Sequence, residues 1–164
     1  MEKILKVLNR IEELEEGLAG LYRQLSSVFT DNEEMHDFFR SLGEEETSHR
    51  DLARYQIRLV RNSREPFADV DVDISCIENL REKIRKFSRQ TAPTIEDALR
   101  VVLELETSVA EYYVSSVIKR ANPEVSDLID NLSVGCRKHL HKCREMAKRY
   151  RVPLSGPSDE PLKI

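Results

Sequence analysis

The chain of 164 residues is long enough for one domain with a sizeable core. Charged residues make up 34% and hydrophobic ones 40%, with five Gly, six Pro and no Trp, which suits long amphipathic helices. A net charge of -4 with interleaved acids and bases argues against a nucleic-acid partner, and no apolar run nears the roughly 20 residues needed to cross a membrane.

The start, Met1-Glu2-Lys3-Ile4-Leu5-Lys6, is already periodic and charged, unlike a signal peptide, so a cytoplasmic location is expected. A first helix is predicted over about residues 3 to 29, with Ile4, Val7, Leu8, Ile11, Leu14, Leu18, Leu21, Tyr22, Leu25, Val28 and Phe29 on one stripe. Thr30-Asp31-Asn32-Glu33 reads as a capping box opening a second helix that runs to about Asn62. Its inward set is Met35, Phe38, Phe39, Leu42, Leu52, Ile57 and Val60. Residues 63 to 92 break the pattern and form a crossover, within which Ser75-x-x-Glu78 caps a short helix through about Phe87. Thr94-x-x-Asp97 starts the third long helix, with Ile95, Leu99, Val102, Leu105, Val109, Tyr113 and Val117 inward. Asn122-Pro123 starts the fourth, whose stripe is Val125, Leu128, Ile129, Leu132, Cys136, His139, Cys143, Met146 and Tyr150. Residues 151–164 read as an unstructured tail, so the domain is residues 1–150. The expected fold is all-α: two antiparallel helical hairpins joined by a long crossover that contains a short helix.

The two hairpins repeat a pattern. Glu15 precedes Tyr22 by seven residues, and Glu106 precedes Tyr113 by seven. Each Tyr is followed by a His on the next long helix, His49 or His139, and His49 closes a Glu-x-x-His motif from Glu46. In the second hairpin Cys136 stands where that Glu would be. Glu15, Glu46, His49, Glu106 and His139 all fall on apolar stripes. At 1.5 Å rise per residue Glu15, Glu46, Glu106, Cys136 and His139 reach one layer about 20 Å from the turns. No Lys or Arg shares those stripes at that height. An unpartnered carboxylate in such a place costs several kcal/mol or becomes protonated, and three would repel one another. Metal cations are the simplest solution, and oxygen donors with imidazole suit iron, manganese or zinc. Tyr22 and Tyr113 could each hydrogen-bond a carboxylate of the opposite hairpin. His36 and His141 fall outside the layer and are expected at the surface.

Three cysteines, Cys76, Cys136 and Cys143, make no paired framework, and no Cys-x-x-Cys exists for a zinc ribbon or a rubredoxin-type iron site. Cys136 has two readings: a thiolate ligand, or a small hydrophobe filling a vacated corner.

These residues resemble the rubrerythrin family of ferritin-like di-iron carboxylate proteins over about residues 3 to 150. The likeness rests on Glu15 with Tyr22, on Phe39-x-x-Leu42-x-x-Glu45-Glu46-x-x-His49, and on Glu106 with Tyr113. It implies a ferritin-like four-helix bundle holding two irons that react with peroxide or oxygen, with Glu15, Glu46, His49, Glu106 and His139 at ligand positions. It also implies an oxidoreductase of peroxidase or ferroxidase type, a homodimer and, without a rubredoxin domain, an external electron donor. The chain departs from the pattern at Cys136 and at Val109, where rubrerythrins often carry a further Glu. Cys136 and the missing rubredoxin domain motivate a second expectation, a degenerate bundle with an impaired or single-metal site that acts by binding partners. Nothing in the chain specifies the hollow shell of a storage ferritin.

Overall fold

Stripes of apolar residues at helical spacing dictate the architecture. A computed structural model describes residues 2–63, 74–115 and 123–153, which form five helices and no strand. These are α1 (Glu2–Val28), α2 (Glu33–Asn62), α3 (Ser75–Phe87), α4 (Ile95–Ser115) and α5 (Pro123–Arg149). One core runs through them all, from Ile4 and Leu8 at the start of α1 to Cys143 and Ala147 near the end of α5.

Helix ends follow local chemistry. Thr94 and Asp97 cap α4 reciprocally: the Asp97 amide donates to Thr94 Oγ1 and the Thr94 amide to Asp97 Oδ2, each at 3.1 Å. The other two expected caps differ. Asn32, not Thr30, caps α2, its Oδ1 accepting from the Met35 amide at 3.1 Å. Thr30 is taken up by the preceding turn, in which the Asn32 amide bonds the Phe29 carbonyl at 3.0 Å, so the chain is extended only at Asn32. Ser75 is already helical, and the cap of α3 is Ile74, with no side-chain bond. α5 closes in a Schellman motif. The Val152 amide bonds the Ala147 carbonyl at 2.9 Å, the Arg151 amide bonds Lys148 at 3.1 Å, and Arg151 takes φ 57°. Val152 is buried against the core, so ordered packing extends past the expected start of the tail. Val117, Asn122, residues 64–73 of the crossover and residues 154–164 lie outside the described residues.

Contacts between named residues give the helix directions. α1 and α2 form a hairpin, as do α4 and α5. Along α2 and α5, Asn32 meets Tyr150, Glu45 meets His139, and His49 meets Gly135, so these two helices are antiparallel. Tyr22 reaches Glu106 and Tyr113 reaches Glu15, so α1 and α4 are antiparallel as well. α1 is thus antiparallel to both α2 and α4, so α2 and α4 run in the same direction. α3 buries Ile77, Leu80, Ile84 and Phe87 as it packs on α1 and α4.

One core assignment is corrected. Leu52 is 40% exposed, beside Tyr55 and Leu59 on the outer flank of α2. The buried stripe steps from His49 to Ala53 and on to Gln56, Ile57 and Val60, which leaves Leu52 off its edge. Exposed ion pairs such as Arg54–Glu12 and Arg50–Glu16 link α1 to α2, each worth about 0–1 kcal/mol.

The cap assignment is testable by urea denaturation. Asn32→Ala should lower stability by about 1 kcal/mol and Thr30→Ala by less than half of that. The reverse order would place the cap at Thr30.

Candidate metal centre

Four helices each send polar side chains to the same level of the core. Glu15 follows Ile11 on α1, Glu46 and His49 follow Leu42 on α2, Glu106 follows Val102 on α4, and His139 follows Leu132 and Cys136 on α5. Glu15, Glu46, Glu106 and His139 are wholly buried, and His49 is 9% exposed. The structure brings all five together.

Glu46 is the centre of the cluster. Its Oε2 lies 2.8 Å from His49 Nδ1, and its Oε1 lies 2.8 Å from His139 Nδ1. Glu15 Oε2 is 3.6 Å from His49 Nδ1, and Glu106 Oε2 is 3.7 Å from His139 Nδ1. Two half-sites result. Each combines one oxygen of Glu46, one imidazole Nδ1 and one outer Glu. The two rings stack with centroids 5.2 Å apart. Glu46, His49 and His139 each offer a ligand atom within 4.8 Å of the others, and this buried group could hold a metal ion.

The outer carboxylates are held by phenols. Tyr22 donates to Glu106 Oε1 at 2.5 Å, and Tyr113 donates to Glu15 Oε1. Both hydroxyls therefore bind a carboxylate of the opposite hairpin. Each Tyr occupies one oxygen and leaves the other facing the cluster. Those inner oxygens, Glu15 Oε2 and Glu106 Oε2, have no hydrogen-bond partner among the described residues, and neither do Glu46 Oε1 and His139 Nδ1. The last two are close enough to bond but off the line a hydrogen bond needs. Four buried donor atoms of the cluster thus lack a hydrogen-bond partner.

Electrostatics follow from burial and proximity. Burial, with Glu46 adding repulsion, pushes the Glu15 carboxyl up to about 7. Burial works against an ionised Glu46 too, but the imidazoles of His139 and His49 outweigh it and hold its carboxyl below the usual range. Burial alone would neutralise the rings; the surrounding carboxylates overcome it, raising His49 to about 10 and His139 to about 11. At neutral pH both imidazoles would therefore be protonated beside an ionised Glu46. Burial raises both phenols well above their ordinary value, Glu106 adding to the effect at Tyr22 and Glu15 at Tyr113.

Cys136 is fully buried one helical turn before His139. Burial raises its thiol, and the charges of Glu15, Glu106 and Glu46 raise it further. His141 is exposed as expected, whereas His36 is half-buried with Nδ1 3.0 Å from the Ser26 carbonyl.

Two contributors escaped the sequence reading. Glu45 accepts from His139 Nε2 at 3.0 Å. It stands beside Glu46 in the motif, but a half-exposed Glu on a charged helix looks like any solvated acid. Gly135 faces His49: a Cβ there would lie 2.2 Å from Nε2 and 2.4 Å from Cε1. A Gly inside a helix, where it costs roughly 1 kcal/mol, was the available signal.

Comparison with known proteins yields no matching family model, no matching curated protein and no matching solved structure.

Gly135→Ala tests the ring's position. In an ordinary helix the change stabilises by about 0.5–1 kcal/mol. Here it should destabilise the protein, and should regain the ordinary sign in a His49→Ala background, as read by a double-mutant cycle in urea. Equal effects in both backgrounds would show that His49 does not pack on Gly135.

Proposed function

We propose that the chain is a non-haem metal protein of rubrerythrin-like, ferritin-like type, and that its bundle centre holds two divalent cations. The observation that carries this reading is the set of four buried donor atoms without a hydrogen-bond partner among the described residues: Glu15 Oε2, Glu46 Oε1, Glu106 Oε2 and His139 Nδ1. Buried polar groups in folded proteins are almost always satisfied, and carboxylates are the costliest to leave bare. One half-site would use Glu15, His49 and Glu46; the other would use Glu106, His139 and the second oxygen of Glu46. The donor set, oxygen with imidazole, fits iron, with manganese or zinc as substitutes.

The residues define what the site can do. Tyr22 and Tyr113 each tie off one oxygen of an outer Glu, so that Glu offers a single oxygen inward. Glu46 would serve both half-sites, and Cys136 stands in α5 where α2 carries Glu46. With few protein donors per half-site, a small oxygen-containing ligand would complete the coordination. A pair of redox-active cations would supply Lewis acidity and electron exchange with peroxide or oxygen. The activity that fits is peroxide reduction or iron oxidation, with electrons from an external donor. The homodimer we propose rests on the resemblance.

Cys136 completes the charge balance as a thiolate. Three carboxylates and one thiolate carry four negative charges, matched by two divalent cations with neutral imidazoles. Loss of the thiol proton, which burial opposes, would then accompany metal uptake.

A second reading has its own observation. The raised imidazoles allow the cluster to neutralise itself with protons, as a degenerate bundle kept for partner binding would do.

Metal analysis of protein purified without chelator separates the two. We expect between one and two equivalents per chain. Glu46→Ala should cut that below about half an equivalent and lower thermal stability, because breaking a buried charge cluster costs roughly 3–5 kcal/mol. Less than half an equivalent in the unaltered protein, with stability indifferent to Glu46→Ala, would overturn the metal reading.

A further inference from the structure

The two half-sites are alike on their inner side and unlike on their outer side. Each imidazole turns Nδ1 toward Glu46 at 2.8 Å. Behind His139, Nε2 meets Glu45 Oε2 at 3.0 Å. Glu45 is itself fixed: Lys142 donates to its Oε1, and Ser41 Oγ donates to the same oxygen at 3.1 Å. His139 is entirely buried and cannot turn away. Behind His49 there is no such acceptor among the described residues. Its Nε2 side abuts the backbone of α5 at Gly135, and the ring keeps some contact with solvent.

The chemistry of ligation turns this asymmetry into a difference in affinity. Nδ1 can bind a metal only as a lone pair, which requires the ring's remaining proton to sit on Nε2. A carboxylate accepting that proton fixes the tautomer, fixes the ring plane and makes Nδ1 a better donor. His139 has this support and His49 does not.

Building on the metal reading above, we propose that the two metal positions fill in order, the Glu106–His139–Glu46 position first, and that Glu45 is the positioning residue that sets the order. Glu45 touches neither metal nor substrate. It acts through His139, from the half-exposed face between α2 and α5. The His49 position fills second and releases its ion more readily, so it is the position that exchanges with solution.

Zinc(II) titrated into metal-free full-length protein, followed by calorimetry, tests this. We expect two steps separated by at least about tenfold in affinity. Glu45→Ala should weaken the tight step by about 10–100-fold and leave the weak step in place. Glu45→Gln, whose amide oxygen can still accept from Nε2, should fall between. A measurement without a variant complements these: crystals given one equivalent of cobalt(II) should show anomalous scattering on the His139 side, and nitrogen NMR of the zinc-loaded protein should show His139 protonated at Nε2. Equal filling of both positions, a first equivalent beside His49, or an effect of Glu45→Ala on both steps or neither would overturn the ordering while leaving the metal site intact. Failure of the unaltered protein to take up zinc, iron or cobalt would instead remove the metal reading, and the ordering with it.

Discussion

Three carboxylates gathered in one layer of an apolar bundle are the constraint on which the rest of the structure depends. Each costs several kcal/mol to bring out of water as an anion, and together they repel. Among the described residues no Lys or Arg reaches them. The cationic groups in contact there are the two imidazoles, which offset the layer only while they hold protons taken up against the pull of burial. A domain has a margin of only about 5–15 kcal/mol, so this arrangement is a large load. The apolar stripes above and below the layer, from Ile4 to Leu25 on α1 and from Val125 to Cys143 on α5, must carry it.

The topology is what lets two repeated hairpins share one centre. Because α1 opposes α4, a Glu seven residues before a Tyr on each helix puts each phenol beside the other's carboxylate. The same antiparallel relation between α2 and α5 places His139 against Glu46, Glu45 behind His139, and Gly135 against His49. Near-symmetry ends at Cys136, which stands in α5 where α2 carries Glu46.

Much of this was legible in the residue order. Helical stripes set four long elements and the short one, and counting along them put Glu15, Glu46, Glu106 and His139 at one height, because rise per residue is nearly constant in a helix. What failed was local or lateral. Thr30 and Asn32 are both good caps, and only the turn that consumed Thr30 decided between them. Leu52 is apolar, but a helix stripe drifts and left it on the flank. Glu45 and Gly135 act across the α2–α5 seam, and no periodicity within one helix reveals which residue of a neighbour it will meet. The role of Cys136 depends on what fills the space it faces, which spacing alone does not specify.

Diffraction recorded on both sides of a metal absorption edge, from crystals of chelator-free protein, addresses the central claim most directly. Two anomalous peaks are expected inside the bundle, at about 2.0–2.2 Å from Glu46 oxygens and from Nδ1 of His49 and His139. A map with no peak at that level, and with both imidazoles still paired to Glu46 through shared protons, would contradict the account.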